Sequence, residues 1–135
     1  MNESREGVSQ PSIEYVSPSN VNVGIVALKL HGKLVTDDAA GAIVRMQEAI
    51  SRAGRLRVFF DIAEYDGFEL GALWEKLKAA GSLFAGLERV AVIGDQRWAE
   101  WWSRLADPIT PFVIRHFSVE HAEDARAWIT EGLDV

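Results

Sequence analysis

Hydrophobic and polar positions along the chain predict strands that alternate with helices. Two short apolar runs lead to an acidic residue, Leu56–Asp61 and Glu88–Asp95. Each run is followed by a segment whose apolar residues recur at helical spacing. In the second segment these residues are Trp98, Trp101, Trp102 and Leu105. Repetition of a strand–helix unit predicts an α/β protein with a mostly parallel sheet.

The complete pattern predicts the element order β-β-α-β-α-β-α-β-α, a mixed, mostly parallel sheet of about five strands with four helices. The predicted strands are Ile13–Val16, Val23–His31, Val58–Phe60, Val90–Ile93 and Val113–Phe117. The predicted helices start at a Thr36 cap, near Leu70, near Trp98 and at a Ser118 cap. We expect residues 1–12 to form a disordered tail and residues 13–135 to form one domain.

The third strand and its surroundings carry more specific expectations. Val58, Phe59 and Phe60 are continuously apolar, which favours a central strand that is covered on both faces. We expect this strand to stop at Asp61 and a loop to run from there to Phe68. A helix should follow, with its end loosened by Gly81 and Gly86.

Composition and charge argue against several kinds of partner and site. The chain has 135 residues, of which 48% are hydrophobic, enough for a core. A formal net charge of −6 argues against a nucleic-acid partner, which would need a concentrated cationic face. The lack of cysteine excludes disulfides, thiol catalysis and zinc–thiolate sites. The polar start and the absence of a long apolar run favour a cytoplasmic protein with at most peripheral membrane contact.

Three segments carry a family resemblance: Leu30–Leu34 with its Gly-Lys-Leu, Phe60–Trp74 with its Gly-Ala-Leu-Trp, and Glu88–Trp98. Together with the element order, they resemble the SpoIIAA-like branch of the STAS superfamily. The resemblance implies a STAS-type α/β sandwich that acts as a non-catalytic binding or regulatory domain. This branch is also similar to CRAL-TRIO-type lipid-binding domains, which implies an apolar pocket or membrane contact.

The resemblance also implies a switch that this chain lacks. Anti-anti-sigma relatives are phosphorylated on a serine just before the helix that follows the third strand. The corresponding stretch is Asp66–Glu69, and neither serine nor threonine occurs between Asp61 and Leu77. A kinase would find no acceptor hydroxyl there, so we do not carry the phosphate switch over.

Large aromatic residues supply the strongest functional signal. We call them the aromatic set, and they are Tyr65, Phe68, Trp74, Trp98, Trp101 and Trp102. Helical spacing makes core packing the ordinary explanation for the tryptophans. Tryptophan is nevertheless enriched in pockets and interfaces, where its N–H finds a partner. The set is therefore our candidate ligand-binding site.

Acidic and histidine residues give weaker signals. Asp61 and Asp95 follow neighbouring strands and could hold Mg²⁺ through oxygen, but hydrogen bonds to backbone N–H groups explain them more simply. A solvated loop accounts for Glu64, Asp66 and Glu69. His31 and His116 fit structural roles on strands. We predict no catalytic residue, no metal site and no cofactor.

The sequence thus favours a non-catalytic module that binds a lipid-like or other apolar small molecule, or a membrane surface, through the aromatic set. The alternative is a regulator that binds a protein partner without phosphorylation, in the manner of anti-anti-sigma proteins. The third hypothesis is a Mg²⁺-assisted hydrolase that uses Asp61 and Asp95. Formation of a homodimer stays open.

Overall fold

A computed structural model describes residues 12–32, 36–65, 81–94 and 112–133. Within these ranges the chain forms five strands and three α-helical stretches. The strands are β1 (Ile13–Tyr15), β2 (Ile25–Gly32), β3 (Leu56–Tyr65), β4 (Leu87–Ile93) and β5 (Val113–Phe117). The helices are α1 (Thr36–Ala53), α2 (Gly81–Gly86) and α3 (Ala122–Thr130), and short 3-10 turns cover Val21–Val23 and Val119–His121.

The strands form one sheet in the order β1-β2-β3-β4-β5. Only the β1–β2 pair is antiparallel, and the pairs that join β2, β3, β4 and β5 are parallel. The mixed, mostly parallel sheet predicted from the sequence is therefore confirmed. Because β2 to β5 run in parallel, their carboxyl ends lie at one edge of the sheet, where open α/β sheets bind ligands.

Both faces of the sheet are covered by apolar packing. On one face, Val26, Leu28 and Leu30 of β2 pack with the buried side of α1, which contributes Ala42 and Met46. The other face packs against α3. Its buried cluster consists of Ala27, Phe59, Ala91, Ile93, Ala125 and Ile129. Neighbouring Phe59 and Phe60 therefore both lie in the core, on opposite faces, as their continuous apolar run predicted.

One glycine fixes the start of β2 beside the start of β3. Gly24 has a φ of +84°, a left-handed conformation that L side chains rarely adopt. A Cβ at this position would lie 2.7 Å from the carbonyl oxygen of Arg55. The Gly24 carbonyl also accepts a hydrogen bond from the Arg57 N–H at 2.7 Å. The turn thus sets the register in which Ile25 pairs with Arg57.

Some element boundaries differ from the sequence prediction. The prediction that β3 ends at Asp61 is wrong, because the strand continues to Tyr65 and buries Ile62. Residues Gly81–Gly86 are helical, although two glycines were expected to loosen this part of the chain. Ser118 stands at the N-cap of the 3-10 turn, but its side chain makes no capping hydrogen bond. The predicted helices near Leu70 and Trp98 lie outside the described residues.

We find no helix in the described ranges that is long and apolar enough to cross a membrane.

Candidate functional site

Polar side chains gather where β2 and β3 approach the carboxyl edge of the sheet. Lys29 pairs with Asp61 and His31 pairs with Glu64 across the two strands. A register irregularity lies between Lys29 and His31, and it brings Glu64 opposite the imidazole. Glu14 of β1 approaches from the other side and pairs in register with Lys29. Four of these residues make direct contacts, and we call Glu14, Lys29, His31 and Glu64 the His31 network.

The His31 network joins three strands through short polar contacts. The Nε2 atom of His31 lies 2.9 Å from a carboxylate oxygen of Glu14, and its Nδ1 atom lies 3.1 Å from a carboxylate oxygen of Glu64. The other oxygen of Glu64 accepts from the Lys29 ammonium at 3.0 Å. Both carboxylates are 56% exposed, whereas the imidazole is 19% exposed. The ring is thus held between two solvent-accessible acids.

The contacts within this network shift the pKa values of two side chains. The hydrogen bond from Lys29 and its positive charge lower the pKa of the Glu64 carboxyl. The same hydrogen bond raises the pKa of the Lys29 ammonium. Since the folded-state pKa of Glu64 is depressed, the pair contributes to stability above the ordinary carboxyl range and loses this contribution as the pH falls through the depressed value.

Replacement of the ammonium should reverse the shift at Glu64. In the variant Lys29→Met, we expect the pKa of Glu64 to rise towards its ordinary value, because its main hydrogen-bond donor and nearest cation are removed. An NMR titration that follows the side-chain carboxyl carbon of Glu64 measures this directly. Arg52→Met serves as the control, because Arg52 pairs with Glu48 on α1. An unchanged Glu64 titration in Lys29→Met would show that Lys29 does not hold this carboxylate in solution.

Asp61, one of the two acids considered for Mg²⁺, is held by the backbone. Its carboxylate accepts a hydrogen bond from the Ala63 N–H at 3.1 Å, inside β3. The sequence interpretation favoured such a bond to the backbone, although at a helix start. Asp95 lies outside the described residues. Among the residues that the structure describes, no group of three or more histidine and acidic side chains is arranged to hold a metal ion.

The aromatic set falls largely on other parts of the chain. Tyr65 is the last residue of β3, and its backbone pairs with Gly32. Its side chain and all of Phe68, Trp74, Trp98, Trp101 and Trp102 lie outside the described residues. The candidate ligand-binding site therefore stays a prediction.

A second polar cluster lies at the opposite end of the sheet, and the sequence interpretation missed it. Arg57 of β3 is buried, and its guanidinium donates to the carbonyl oxygens of Ile129 at 3.2 Å and Glu131 at 2.7 Å. It also donates to the carboxylate of Glu88 at 3.0 Å. These bonds satisfy carbonyl groups at the end of α3, where a helix has no internal donors left. The only sequence signal was an arginine directly before an apolar run.

Trp128 of α3 forms an aromatic contact with the face of β4 and β5 that α3 covers. Its ring lies 5.1 Å from the Arg89 guanidinium carbon, 5.2 Å from that of Arg115 and 6.1 Å from the centre of the Phe117 ring. Arg89 also donates to the Trp128 carbonyl at 2.7 Å. These contacts tie α3 to β4 and β5, so this tryptophan has a structural role.

His116 also has the structural role expected of it. Its Nε2 atom lies 2.9 Å from the carbonyl oxygen of Gly94, just beyond the end of β4. The backbone N–H of Gly94 in turn donates to the carbonyl of Phe117 at 3.2 Å. Together these bonds join β4 and β5 at their carboxyl ends.

Comparison with known proteins agrees with this architecture. The family model described as SpoIIAA-like matches residues 25–130. Among solved structures, the chain is similar to an uncharacterized protein of the DUF3478 family with a SpoIIAA-like fold from Shewanella loihica PV-4. The two are 29% identical, the match covers 87% of this chain and 90% of the other, and the TM-score is 0.61. A search of curated proteins found no significant match.

The family match includes four of the five strands, all three described helices and both polar clusters apart from Glu14 and Glu131. The solved relative extends the likeness over most of both chains. The resemblance drawn from the Gly-Lys-Leu, Gly-Ala-Leu-Trp and Glu88–Trp98 segments is confirmed. This protein belongs to the SpoIIAA-like family, with a fold of the STAS type.

Proposed function

We propose that the protein is a non-catalytic module that binds an apolar or amphipathic ligand, or the surface of a membrane, through the aromatic set. The SpoIIAA-like fold suggests a non-catalytic binding or regulatory role. The aromatic set indicates the chemical nature of the ligand. Its six residues offer large apolar surfaces together with indole and phenol groups that can hydrogen-bond at a wet boundary.

The parallel pairing of β3 and β4 is the observation that supports this proposal most. Asp61 pairs with Ile93, so both strands lead towards the same edge of the sheet. Phe68 follows the end of β3 by three residues and Trp98 follows the end of β4 by five. A chain spans at most about 3.5 Å per residue. Phe68 and Trp98 are therefore close enough in sequence to these two strand ends to contribute to one binding region at the sheet edge. Ligands of open α/β sheets bind at this edge.

The energetics favour an apolar ligand at such a region. One aromatic side chain buries about 150–250 Å², and at about 25 cal/mol per Å² this corresponds to a gross gain of about 4–6 kcal/mol. Ordering of side chains and loss of ligand freedom offset much of the gain. A complex therefore needs more than one member of the set to be buried against the ligand.

Native mass spectrometry of the purified protein, followed by titration with lysophosphatidylcholine, tests the proposal. We expect a bound lipid mass, and we expect the double variant Trp98→Ala/Trp101→Ala to bind at least about tenfold more weakly, through loss of buried indole surface. Trp128→Phe is the matched control, because Trp128 is not a member of the aromatic set and packs on α3 against Arg89 of β4 and Phe117 of β5. Equal affinities in all three proteins would contradict a role for the aromatic set.

Native mass spectrometry and an assay of Mg²⁺-dependent turnover test the two other hypotheses. Co-purification of a protein mass that survives Trp98→Ala would support the phosphorylation-independent regulator. Turnover that depends on Mg²⁺ and is abolished by Asp61→Asn would support the hydrolase.

A further inference from the structure

We propose that His31 is a proton-dependent link that fastens β1 to the rest of the sheet. The imidazole lies in β2 between an acid of β1 and an acid of β3. Its Nε2 atom is 2.9 Å from Glu14 and its Nδ1 atom is 3.1 Å from Glu64. Both ring nitrogens thus face carboxylate oxygens at hydrogen-bond distance.

The chemistry of the ring makes this arrangement sensitive to protonation. A neutral imidazole has one N–H donor and one lone pair, whereas the protonated ring has two donors. An ionised carboxylate can only accept. The neutral ring therefore turns a lone pair towards one of the two acids, and the protonated ring donates to both at once. Both contacts can be hydrogen bonds to ionised carboxylates at the same time only when the ring carries both protons.

The contact with β1 depends more on the charge of the ring than the contact with β3 does. Glu64 is held independently by the Lys29 ammonium at 3.0 Å. Glu14, by contrast, has His31 as its one ion-pair partner within the described ranges. It is also 56% exposed and can turn to solvent at little cost. Loss of the proton removes the positive charge and one donor from the ring, which weakens the tie to Glu14 and leaves the contact between β2 and β3 in place.

Strand β1 is small enough for this link to matter. Three residue pairs join it to β2, and it lies before the residues that the family model matches. Other polar ties of this segment include the Ser12 hydroxyl, which donates to the Asp38 carboxylate at 2.7 Å, and the backbone N–H of His31, which donates to the Ser12 carbonyl at 2.9 Å. The Arg45 guanidinium carbon lies 4.1 Å from the centre of the Tyr15 ring. The charged groups around His31 itself are Glu14 on β1, Lys29 on β2, and Asp61 and Glu64 on β3.

Backbone hydrogen exchange provides the test. The Val16 N–H donates to the Ala27 carbonyl at 3.0 Å and reports on attachment of β1. Between pH 8 and pH 5.5, the range in which imidazoles commonly gain a proton, we expect its protection factor to rise about two- to fivefold, the usual scale for a partly exposed ion pair. The Gly54 N–H, which donates at 2.8 Å to the Ile50 carbonyl of α1, serves as the internal reference.

Two variants make the test decisive. In His31→Gln the side chain keeps hydrogen-bonding capacity without titrating, and in Glu14→Gln the acceptor on β1 loses its charge. We expect the rise at Val16, relative to Gly54, to disappear in both variants. Nitrogen-15 spectra of the wild-type ring should show both nitrogens protonated at pH 5.5. An equal rise in His31→Gln, or a ring with a single proton at pH 5.5, would overturn the proposal.

Discussion

The variant Phe59→Ala is expected to lose about 3–5 kcal/mol of the free energy of unfolding. Phe59 is completely buried in the middle of β3, and its neighbours across the sheet are Ala27 on β2 and Ala91 on β4. Both are too small to fill the space that the ring would leave. Since domains are stable by about 5–15 kcal/mol, the loss would be a large part of the total. Urea denaturation followed by far-ultraviolet circular dichroism measures it.

The effect of Phe59→Ala should be concentrated on α3. The ring lies in the cluster that joins the sheet to Ala125 and Ile129, and the guanidinium of Arg126 lies 5.5 Å from its centre. Val113→Ala is a suitable control, because Val113 lies in β5 and is 55% exposed, and we expect a change within about 0.5 kcal/mol. A loss below about 1 kcal/mol in Phe59→Ala would mean that α3 closes the cavity or is not firmly packed.

Phe59 also illustrates why the fold could be predicted from the sequence. A run such as Val58-Phe59-Phe60 leaves no polar face, so the strand must be covered on both sides. In the structure the outer residues of this run face α1 and the central residue faces α3. Helical segments between such runs then require parallel neighbours. Local patterns were sufficient here because burial on each face is encoded residue by residue.

The extension of β3 could not be predicted in this way. Asp61 and Glu64 resemble loop residues when they are considered along the chain alone. In the fold, Glu64 is paired with Lys29 and His31, more than thirty positions earlier in the sequence. Asp61 accepts its hydrogen bond from the backbone of Ala63. Glu64 continues the strand because partners on the next strand satisfy it, and those partners are known only once the register is known.

The same reasoning applies to the polar clusters. The His31 network takes one residue from each of β1 and β3 and two from β2, with no recognisable spacing in the sequence. Arg57 likewise meets α3 through residues more than seventy positions away. The aromatic set, by contrast, was identified from helical spacing within short segments. Local periodicity therefore predicted the fold and a candidate binding region, whereas the polar contacts across strands required the structure.

Arg57→Ala is expected to destabilise the protein by about 2–4 kcal/mol. The guanidinium is 10% exposed and makes three hydrogen bonds, two to carbonyl groups at the end of α3 and one to Glu88. Its removal leaves buried or partly buried acceptors without a donor, and the cost of an unsatisfied acceptor exceeds the net value of the bond. It also removes positive charge from the negative end of the α3 dipole.

Arg52→Ala is the matched control for this variant, because it removes the same side chain from an exposed site. Arg52 is 54% exposed and pairs with Glu48 one turn away on α1, so its loss should cost no more than about 0.5 kcal/mol. Hydrogen exchange shows whether the larger effect of Arg57→Ala arises at the end of α3 or in the core beneath Arg57. If Arg57 acts through the end of α3, the Leu133 N–H, which donates to the Thr130 carbonyl at 2.9 Å, should lose protection before the amides of α1 do. Uniform loss of protection across both helices would instead assign the effect to the core beneath Arg57.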